Sequence, residues 1–269
     1  MNTHNVLQRI KDSQKEHEVM PTGFGKLDGV LDGGFFKKEL VVIGAPPGSG
    51  KSQLAGQILL TIAEQGFKTA YFSLEISNEM VLSRMLGVKC GIKPSVLCYG
   101  GLSNQEIELK LKAEASIISL GDLINFHDDK YLLSELMKEI KTNDFEFVVI
   151  DFAQNIMDHA LDEYSRTSKV AIEFQKLAKE KDCGILVLSQ LSNTAAKEGN
   201  RSKNLEYKGS GSLAMVCDLG FLLERNEVPD SDYDPNDGTI LTLKKNRRGV
   251  SGLTLYLGYQ YPGGLIYEK

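Results

Sequence analysis

The loop at residues 44–52 constrains the fold of this chain more than any other stretch of its sequence. It follows an apolar run at residues 40–43 and precedes apolar residues at helical spacing over residues 54–62. A strand that passes through a small-residue loop ending in Gly-Lys-Ser into a helix predicts a phosphate cradle, because backbone N–H groups and the helix N-terminus then face one point. The residues expected to form the cradle are Ala45, Pro46, Pro47, Gly48, Ser49, Gly50, Lys51 and Ser52.

Two side chains of this loop have specific expected roles. Lys51 is expected to reach the β- and γ-phosphates of ATP, and the Ser52 hydroxyl is expected to ligate Mg²⁺. Ala45 departs from the usual pattern, which has Gly at this position, but alanine is small enough for the backbone to approach the ligand. The alternative is a glycine-rich turn without a ligand, and the Lys-Ser pair and both flanks disfavour it. The loop therefore indicates a nucleotide-binding protein.

Length and composition place the chain in a broad class. Its 269 residues suit one large α/β domain with short appendages, and 25% charged and 42% hydrophobic residues are typical of globular proteins. No apolar run approaches the roughly 20 residues of a membrane span. The N-terminus also lacks the apolar core of a signal peptide, so no membrane partner and a cytoplasmic location are expected. Because the net charge is −5, any contact with nucleic acid must come from a local basic surface.

Alternating segments from residue 21 onward predict the fold class. Strands are expected at residues 40–44, 68–74, 122–126, 145–151, 184–189, 218–224, 239–245 and 253–258. Helices are expected at residues 52–65, 77–87, 103–119, 131–142 and 168–182. This order is typical of an α/β protein with a mostly parallel sheet covered by helices on both faces. The last strands follow one another directly, which predicts an antiparallel C-terminal extension.

Residues 1–20 are predicted to form a helical arm outside the domain at residues 21–269. The apolar residues Val6, Leu7 and Ile10 are too few to hold a helix against its own domain, so the arm is expected to dock elsewhere. A frayed terminus is the alternative.

Three further strands end in polar side chains. Asp151 follows the apolar residues 147–150, Glu75 follows residues 69–74, and Gln190 follows residues 185–189. The carboxyl ends of parallel strands form the edge where ligands bind in open α/β sheets. Asp151 suits the outer-shell Mg²⁺ ligand of P-loop NTPases, Glu75 can orient or deprotonate the attacking water, and Gln190 can sense the γ-phosphate. Taken singly, a cap aspartate, a surface glutamate and a turn glutamine are the alternatives.

Two loops differ in charge. Residues 192–209 are locally basic, with Lys197, Arg201, Lys203 and Lys208. Residues 226–238 are acidic, but an EF-hand interpretation fails because Pro235 and Leu241 occupy the positions that need Gly and Glu. A solvated hairpin connection is expected there instead.

Together these segments resemble the C-terminal ATPase domain of the DnaB-type replicative helicases, a RecA-like hexameric family. The resemblance runs from about residue 20 to the end, and its motifs occur in the family's order. The matching segments are residues 22–28, 72–75 with 84–86, 151–154, 188–192, 210–213 and 245–249. The last of these, Lys245-Asn246-Arg247-Arg248-Gly249, corresponds to Lys-Gln-Arg-Asn-Gly in the family.

The resemblance implies a set of roles. Glu75 corresponds to the catalytic glutamate, Asp151 to the Walker B aspartate and Gln190 to the γ-phosphate sensor. Lys245 and Arg247 correspond to a basic finger that one subunit inserts into its neighbour's site. The residues implied in binding single-stranded DNA are Lys203, Lys208, Gly209 and Gly211. The implied cofactors are ATP and Mg²⁺, and the implied assembly is a homo-oligomeric ring, a hexamer in the family.

Two departures leave the function open. Lys208-Gly209 replaces the family's Arg-Glu pair, which loses a bidentate fork toward phosphate. The family's N-terminal helical domain, which contacts a primase and a loader, has no counterpart in these residues beyond a linker helix at 1–20. The expected function is a ring-forming ATP-dependent DNA motor. A recombinase of the RecA/RadA type and a regulatory or loading ATPase that does not unwind DNA remain alternatives.

Overall fold

A computed structural model describes residues 3, 7, 18–158, 162–191, 211–225 and 238–269, without the side chains of residues 163, 164, 211 and 212. Most of the predicted arm, the basic loop and the acidic loop therefore lie outside the described residues. Within the described residues, no helix is both long enough and apolar enough to cross a membrane.

One nine-stranded sheet organises the chain. Its strands are β3 (Leu40–Ala45), β4 (Thr69–Ser73), β5 (Ile124–His127), β6 (Phe147–Asp151), β7 (Gly184–Gln190), β8 (Leu219–Arg225), β9 (Thr239–Asn246), β10 (Thr254–Gln260) and β11 (Leu265–Glu268). Their order is β11-β10-β9-β8-β3-β7-β6-β4-β5. The pairs from β8 to β5 are parallel, whereas β9, β10 and β11 add antiparallel pairs. Two short strands, β1 (Val19–Met20) and β2 (Phe35–Phe36), pair separately.

Eight α-helices have both ends within the described residues. They are α1 (Gly25–Val30), α2 (Lys51–Glu64), α3 (Asn78–Cys90), α4 (Pro94–Tyr99), α5 (Asn104–Ile118), α6 (Leu133–Thr142), α7 (Glu163–Lys181) and α8 (Gly211–Val216). The sheet has a core on each face. One core packs α2 and α3 against it, and the other packs α6, α7 and α8. Alternate residues of β3 enter opposite cores: Val41 and Ile43 on one side, Leu40 and Val42 on the other.

The predicted fold class is confirmed, and all eight predicted strands form within about two residues of their expected bounds. The predicted start of the helix at 168 was wrong, because α7 begins at Glu163. Asp162 caps it by accepting a hydrogen bond from Ser165 N at 3.0 Å. Sequence patterns also missed β1, β2, β11, α1, α4 and α8, since elements of two to six residues carry too little periodicity to detect.

Helix α2, which follows the phosphate loop, is hydrogen-bonded to the C-terminal strand β11 and to Gly264, the residue before it. Gln53 Nε2 donates to Gly264 O at 2.9 Å, and Gln57 Nε2 donates to Ile266 O at 2.7 Å. Gln57 Oε1 also accepts from Ile266 N at 2.9 Å. These amide contacts hold the first two turns of α2, so its N-terminus is held in place relative to the sheet.

Candidate functional site

The loop at residues 44–52, called the P-loop below, has the backbone geometry of an anion-binding site. Gly48 and Gly50 adopt φ values of 73° and 88°, which side chains other than glycine rarely adopt. Helix α2 starts directly after Gly50, with no side-chain cap and no acidic residue in its first turn. Its first N–H groups are therefore left for a ligand, and the helix dipole favours a negative one.

Lys51 is held at the centre of this site. The residue is 8% exposed, and its Nζ lies 3.6 Å from Glu75 Oε2 and 4.8 Å from the centroid of the Phe152 ring. Glu75 itself is about half exposed, with 48% of its side-chain surface accessible. The structure thus brings together the predicted phosphate-binding cation and the predicted catalytic carboxylate.

Asp151 lies fully buried at the end of β6. Its Oδ2 accepts a hydrogen bond from the Tyr71 hydroxyl at 2.7 Å, whereas Oδ1 has no hydrogen-bond partner among the described residues. Burial, together with the charge of Asp151, raises the pKa of Tyr71 well above its usual value. Tyr71 therefore stays a neutral donor. The Ser52 hydroxyl partly opposes this rise in the pKa of Tyr71, so both predicted metal ligands act on this side chain. A buried carboxylate oxygen without a partner suits a cation.

Gln190 ends β7 in direct register with Ala45 of the P-loop strand. Gln154, in the turn after β6, forms hydrogen bonds with this end of β7. Its Oε1 accepts from Gln190 N at 3.2 Å, and its Nε2 donates to Ser189 Oγ at 3.0 Å and to Gln190 O at 3.2 Å. The predicted sensor is therefore tied to the segment that carries Asp151.

Sequence reasoning missed Tyr71, Phe152 and Gln154 as parts of the site. Tyr71 was counted only as a strand residue, because a tyrosine in an apolar run is indistinguishable from a core aromatic. Gln154 and Phe152 occur in the matched segment 151–154, but their contacts depend on a turn whose path no periodicity predicts.

Lys245 and Arg247 are not brought to the P-loop of their own chain. Asn246 pairs with Leu219, which in turn pairs with Val41 near the start of β3, whereas the P-loop follows Ala45 at its other end. Four residues of strand separate these levels by about 13 Å. Lys245 Nζ instead donates to Ala214 O at 2.9 Å and Met215 O at 2.7 Å, and Arg247 pairs with Asp218 at 2.9 Å.

Arg248, beside this pair, is anchored to the segment before β3. Its Nε lies 3.0 Å from Glu39 Oε1, in a geometry that is not that of a hydrogen bond. Its terminal nitrogens donate to Leu31 O at 2.8 Å and Gly34 O at 3.0 Å, and its guanidinium lies 3.9 Å from the centroid of the Phe36 ring. Burial raises the pKa of Glu39 to about 6, although Arg248 opposes this shift.

We predict that Glu39→Gln changes the pH dependence of stability. Between the usual pKa and about 6, the folded protein holds a proton on Glu39 that the unfolded chain has lost. The free energy of unfolding therefore falls as pH rises through this window, by about 2 kcal/mol. Glu39→Gln removes this loss, so its stability relative to the parent should rise by that amount. Urea unfolding at several pH values measures the difference, with the exposed Glu108→Gln as control. A pH-independent difference would contradict the prediction.

The predicted DNA-binding residues are mostly beyond what the structure describes. Lys203, Lys208 and Gly209 lie outside the described residues, and Gly211 is the first residue of α8. The C-terminal carbonyls of this short helix are the ones that Lys245 contacts.

Comparison with solved structures shows a common fold. One solved structure, described as an ATPase domain, superposes with a TM-score of 0.85, at 20% identity, covering 98% of this chain and 96% of that chain. "The Structure Of A DnaB-Like Replicative Helicase And Its Interactions With Primase" gives a TM-score of 0.84, at 20% identity, covering 98% of this chain and 66% of that chain. The predicted RecA-like ATPase fold is confirmed.

Sequence comparison shows the family. "Replicative DNA helicase DnaB" of Treponema pallidum (strain Nichols) is 28% identical over 267 residues, 95% of this chain and 57% of that protein. "Probable replicative DNA helicase" of Trieres chinensis is 29% identical over 259 residues, 91% of this chain and 56% of that protein. The chain thus spans little more than half the length of these relatives. The family model described as "DnaB-like helicase C terminal domain" matches residues 19–261. The chain belongs to the DnaB-like helicase C-terminal domain family.

Proposed function

We propose that this chain is the ATP-hydrolysing motor of a DNA helicase, a homo-oligomeric ring that moves on single-stranded DNA, with six subunits as the expected size. The proposal rests on the separation, within one chain, of the phosphate-binding residues from the predicted basic finger. Lys51, Glu75, Asp151 and Gln190 share one edge of the sheet, whereas Lys245 and Arg247 lie toward the other. A complete site then requires two subunits, which a closed ring supplies to every member.

The chain's own residues account for the proposed binding of ATP. The P-loop N–H groups and Lys51 bind the phosphates, and Ser52 with Oδ1 of Asp151, which has no hydrogen-bond partner among the described residues, would hold Mg²⁺. When bound, Mg²⁺ neutralises charge that develops on the β- and γ-phosphate oxygens. Glu75 orients the attacking water and accepts its proton, and Gln190 contacts the γ-phosphate.

The proposed DNA contacts come from the region of residues 192–211. Lys203 and Lys208 suit phosphate as point charges, and the backbone N–H groups of Gly209 and Gly211 suit it as donors without side-chain obstruction. A primase-type protein or a loader is the proposed protein partner, since one structural relative is described with primase. The cytoplasmic location stays a prediction from the sequence.

The test of the proposed function is the ATPase rate of sized oligomers, with and without single-stranded DNA, alongside unwinding of a forked duplex. The motor predicts rings in negative-stain images, stimulation by DNA and unwinding that needs ATP. Filaments would instead support the recombinase alternative. ATP hydrolysis by rings that neither respond to DNA nor unwind the fork would support the regulatory ATPase.

Glu75→Gln is expected to lower ATP hydrolysis by about 10²–10⁴-fold while ATP still binds. The amide keeps the shape of the side chain but cannot accept the proton of the attacking water. Single-turnover hydrolysis and the affinity for a fluorescent ATP analogue measure the two effects, and Glu79→Gln, an exposed glutamate on α3, is the matched control. Hydrolysis at the parent rate would contradict the assignment of Glu75.

Lys208→Ala is expected to weaken single-stranded DNA binding to a similar degree for all sequences. Loss of one phosphate contact should lower the slope of log affinity against log salt by about one. Fluorescence anisotropy over a salt series measures this slope, and Lys179→Ala, an exposed lysine on α7, is the control. An unchanged slope would place Lys208 away from the DNA.

A further inference from the structure

Two adjacent arginines are held at the start of the P-loop strand by two different carboxylates. Arg247 pairs with Asp218 at 2.9 Å, and Arg248 lies 3.0 Å from Glu39. The carboxylates are themselves joined through Leu40, whose N–H donates to Asp218 Oδ2 at 3.0 Å and whose carbonyl accepts from Asp218 N at 2.8 Å. The turn after β9 is therefore attached at two neighbouring positions to the start of β3.

Of the two arginine–carboxylate pairs, the pair formed by Arg248 is the more buried. Its side chain is 15% exposed, whereas that of Arg247 is 45% exposed. The Arg248 guanidinium meets two backbone carbonyls, a carboxylate and an aromatic face, all between residues 31 and 39. Asn246 sets the inner shape of the turn, since its side chain accepts from Arg248 N at 2.9 Å and donates to Val250 O at 3.1 Å.

We propose that Arg248 is a positioning residue, which holds this turn so that Arg247 can reach the nucleotide of the neighbouring subunit. The inference rests on the proposed function, in which Arg247 acts across the subunit interface. Charge stabilisation requires accurate placement, because a shift of about 1 Å can lower a rate by about 10²-fold.

The chemistry of the contacts explains why arginine is needed. A planar guanidinium can donate in several directions while its face lies on the Phe36 ring, whereas the lysine ammonium is a single point on a flexible stem. Arg248→Lys should therefore keep the attraction to Glu39 and lose part of the orientation. Arg248→Ala and Arg248→Asn should lose both.

The first measurement is steady-state ATP hydrolysis by rings of each variant. We expect kcat to fall by about 10- to 100-fold in Arg248→Ala and by less in Arg248→Lys, with ATP affinity changed less than about twofold. Lys244→Ala removes a nearby positive charge for which the described residues show no ion pair, so it should keep the parent kcat. The double variant Glu39→Gln/Arg248→Ala leaves no buried carboxylate without its arginine. A lower kcat in this variant therefore reports loss of the Arg248 contacts rather than loss of the fold. A parent kcat in this double variant would overturn the proposal.

The second measurement places the effect in the neighbouring site. Arg248→Ala subunits keep an intact ATP site, and Lys51→Ala subunits keep an intact finger, so mixed rings should regain activity. If Arg247→Ala is rescued by this mixing and Arg248→Ala is not, the positioning role is wrong while the proposed function stands. If neither is rescued, although labelled subunits exchange, the finger does not act across the interface and the inference falls with it.

Discussion

Replacing Arg247 by Ala is expected to lower ATP hydrolysis by about 10³–10⁵-fold, with little change in ATP affinity. Negative charge spreads over the γ-phosphoryl oxygens in the transition state, and an arginine supplied from outside the site stabilises that charge. Ground-state binding should persist, because Arg247 lies about 13 Å of strand away from the level of its own P-loop. The substitution thus removes an interaction made chiefly in the transition state.

Nucleotide affinity and single-turnover rate separate these effects. Each should be measured on rings of verified size, with Lys244→Ala on the same strand as control. Arg247→Ala rings should regain part of their rate when mixed with Lys51→Ala subunits, although each protein alone is inactive. A loss of ATP affinity that equals the loss of rate would mean that Arg247 binds nucleotide within its own chain.

Replacing Lys51 by Ala is expected to abolish ATP turnover and to weaken ATP binding at the same time. Loss of one preorganised donor to a transferring phosphoryl group lowers a rate by about 10²–10³-fold by itself, and weaker ATP binding lowers turnover further. The fold should survive, because among the described residues the Nζ atom has a 3.6 Å ion pair with the half-exposed Glu75 and a contact with the Phe152 ring, and no other ion pair.

Lys51→Met is the matched variant for packing, since it keeps an unbranched apolar stem over Phe152 and removes only the charge. Thermal unfolding should show nearly equal stability for the parent and both variants without nucleotide. Addition of ATP should raise the unfolding temperature of the parent alone. Turnover within tenfold of the parent in either variant would contradict the role of Lys51.

Sequence patterns predicted those site residues that combine a characteristic residue type with a position at the end of an apolar run. An apolar strand followed by Gly-Lys-Ser leaves few alternatives, and Asp151 and Gln190 were found because each interrupts an apolar run at its end. Asp151 also shows what a pattern cannot supply. Its partner Tyr71 comes from another strand, 80 residues away in sequence, and only the parallel register of β4 and β6 brings the two together.

The contacts of Arg248 could not be predicted from the sequence either. In the basic run 244–248, a solvated strand end is a reasonable interpretation of every residue. In the structure these residues have different partners. Strand β9 ends at Asn246, and in the following turn Arg247 contacts Asp218 whereas Arg248 contacts Glu39. The start of α7 was missed for a different reason: its first turn is polar, and a cap by Asp162 outweighs the lack of an apolar stripe there.

The distance between Arg247 and its own P-loop has a consequence for dilute solutions. With the finger acting on a neighbour as proposed, a free chain can hold ATP but cannot complete the site that cleaves it. Specific activity then becomes a function of protein concentration and rises steeply where subunits begin to associate. On the same proposal, chains that have not assembled would consume almost no ATP.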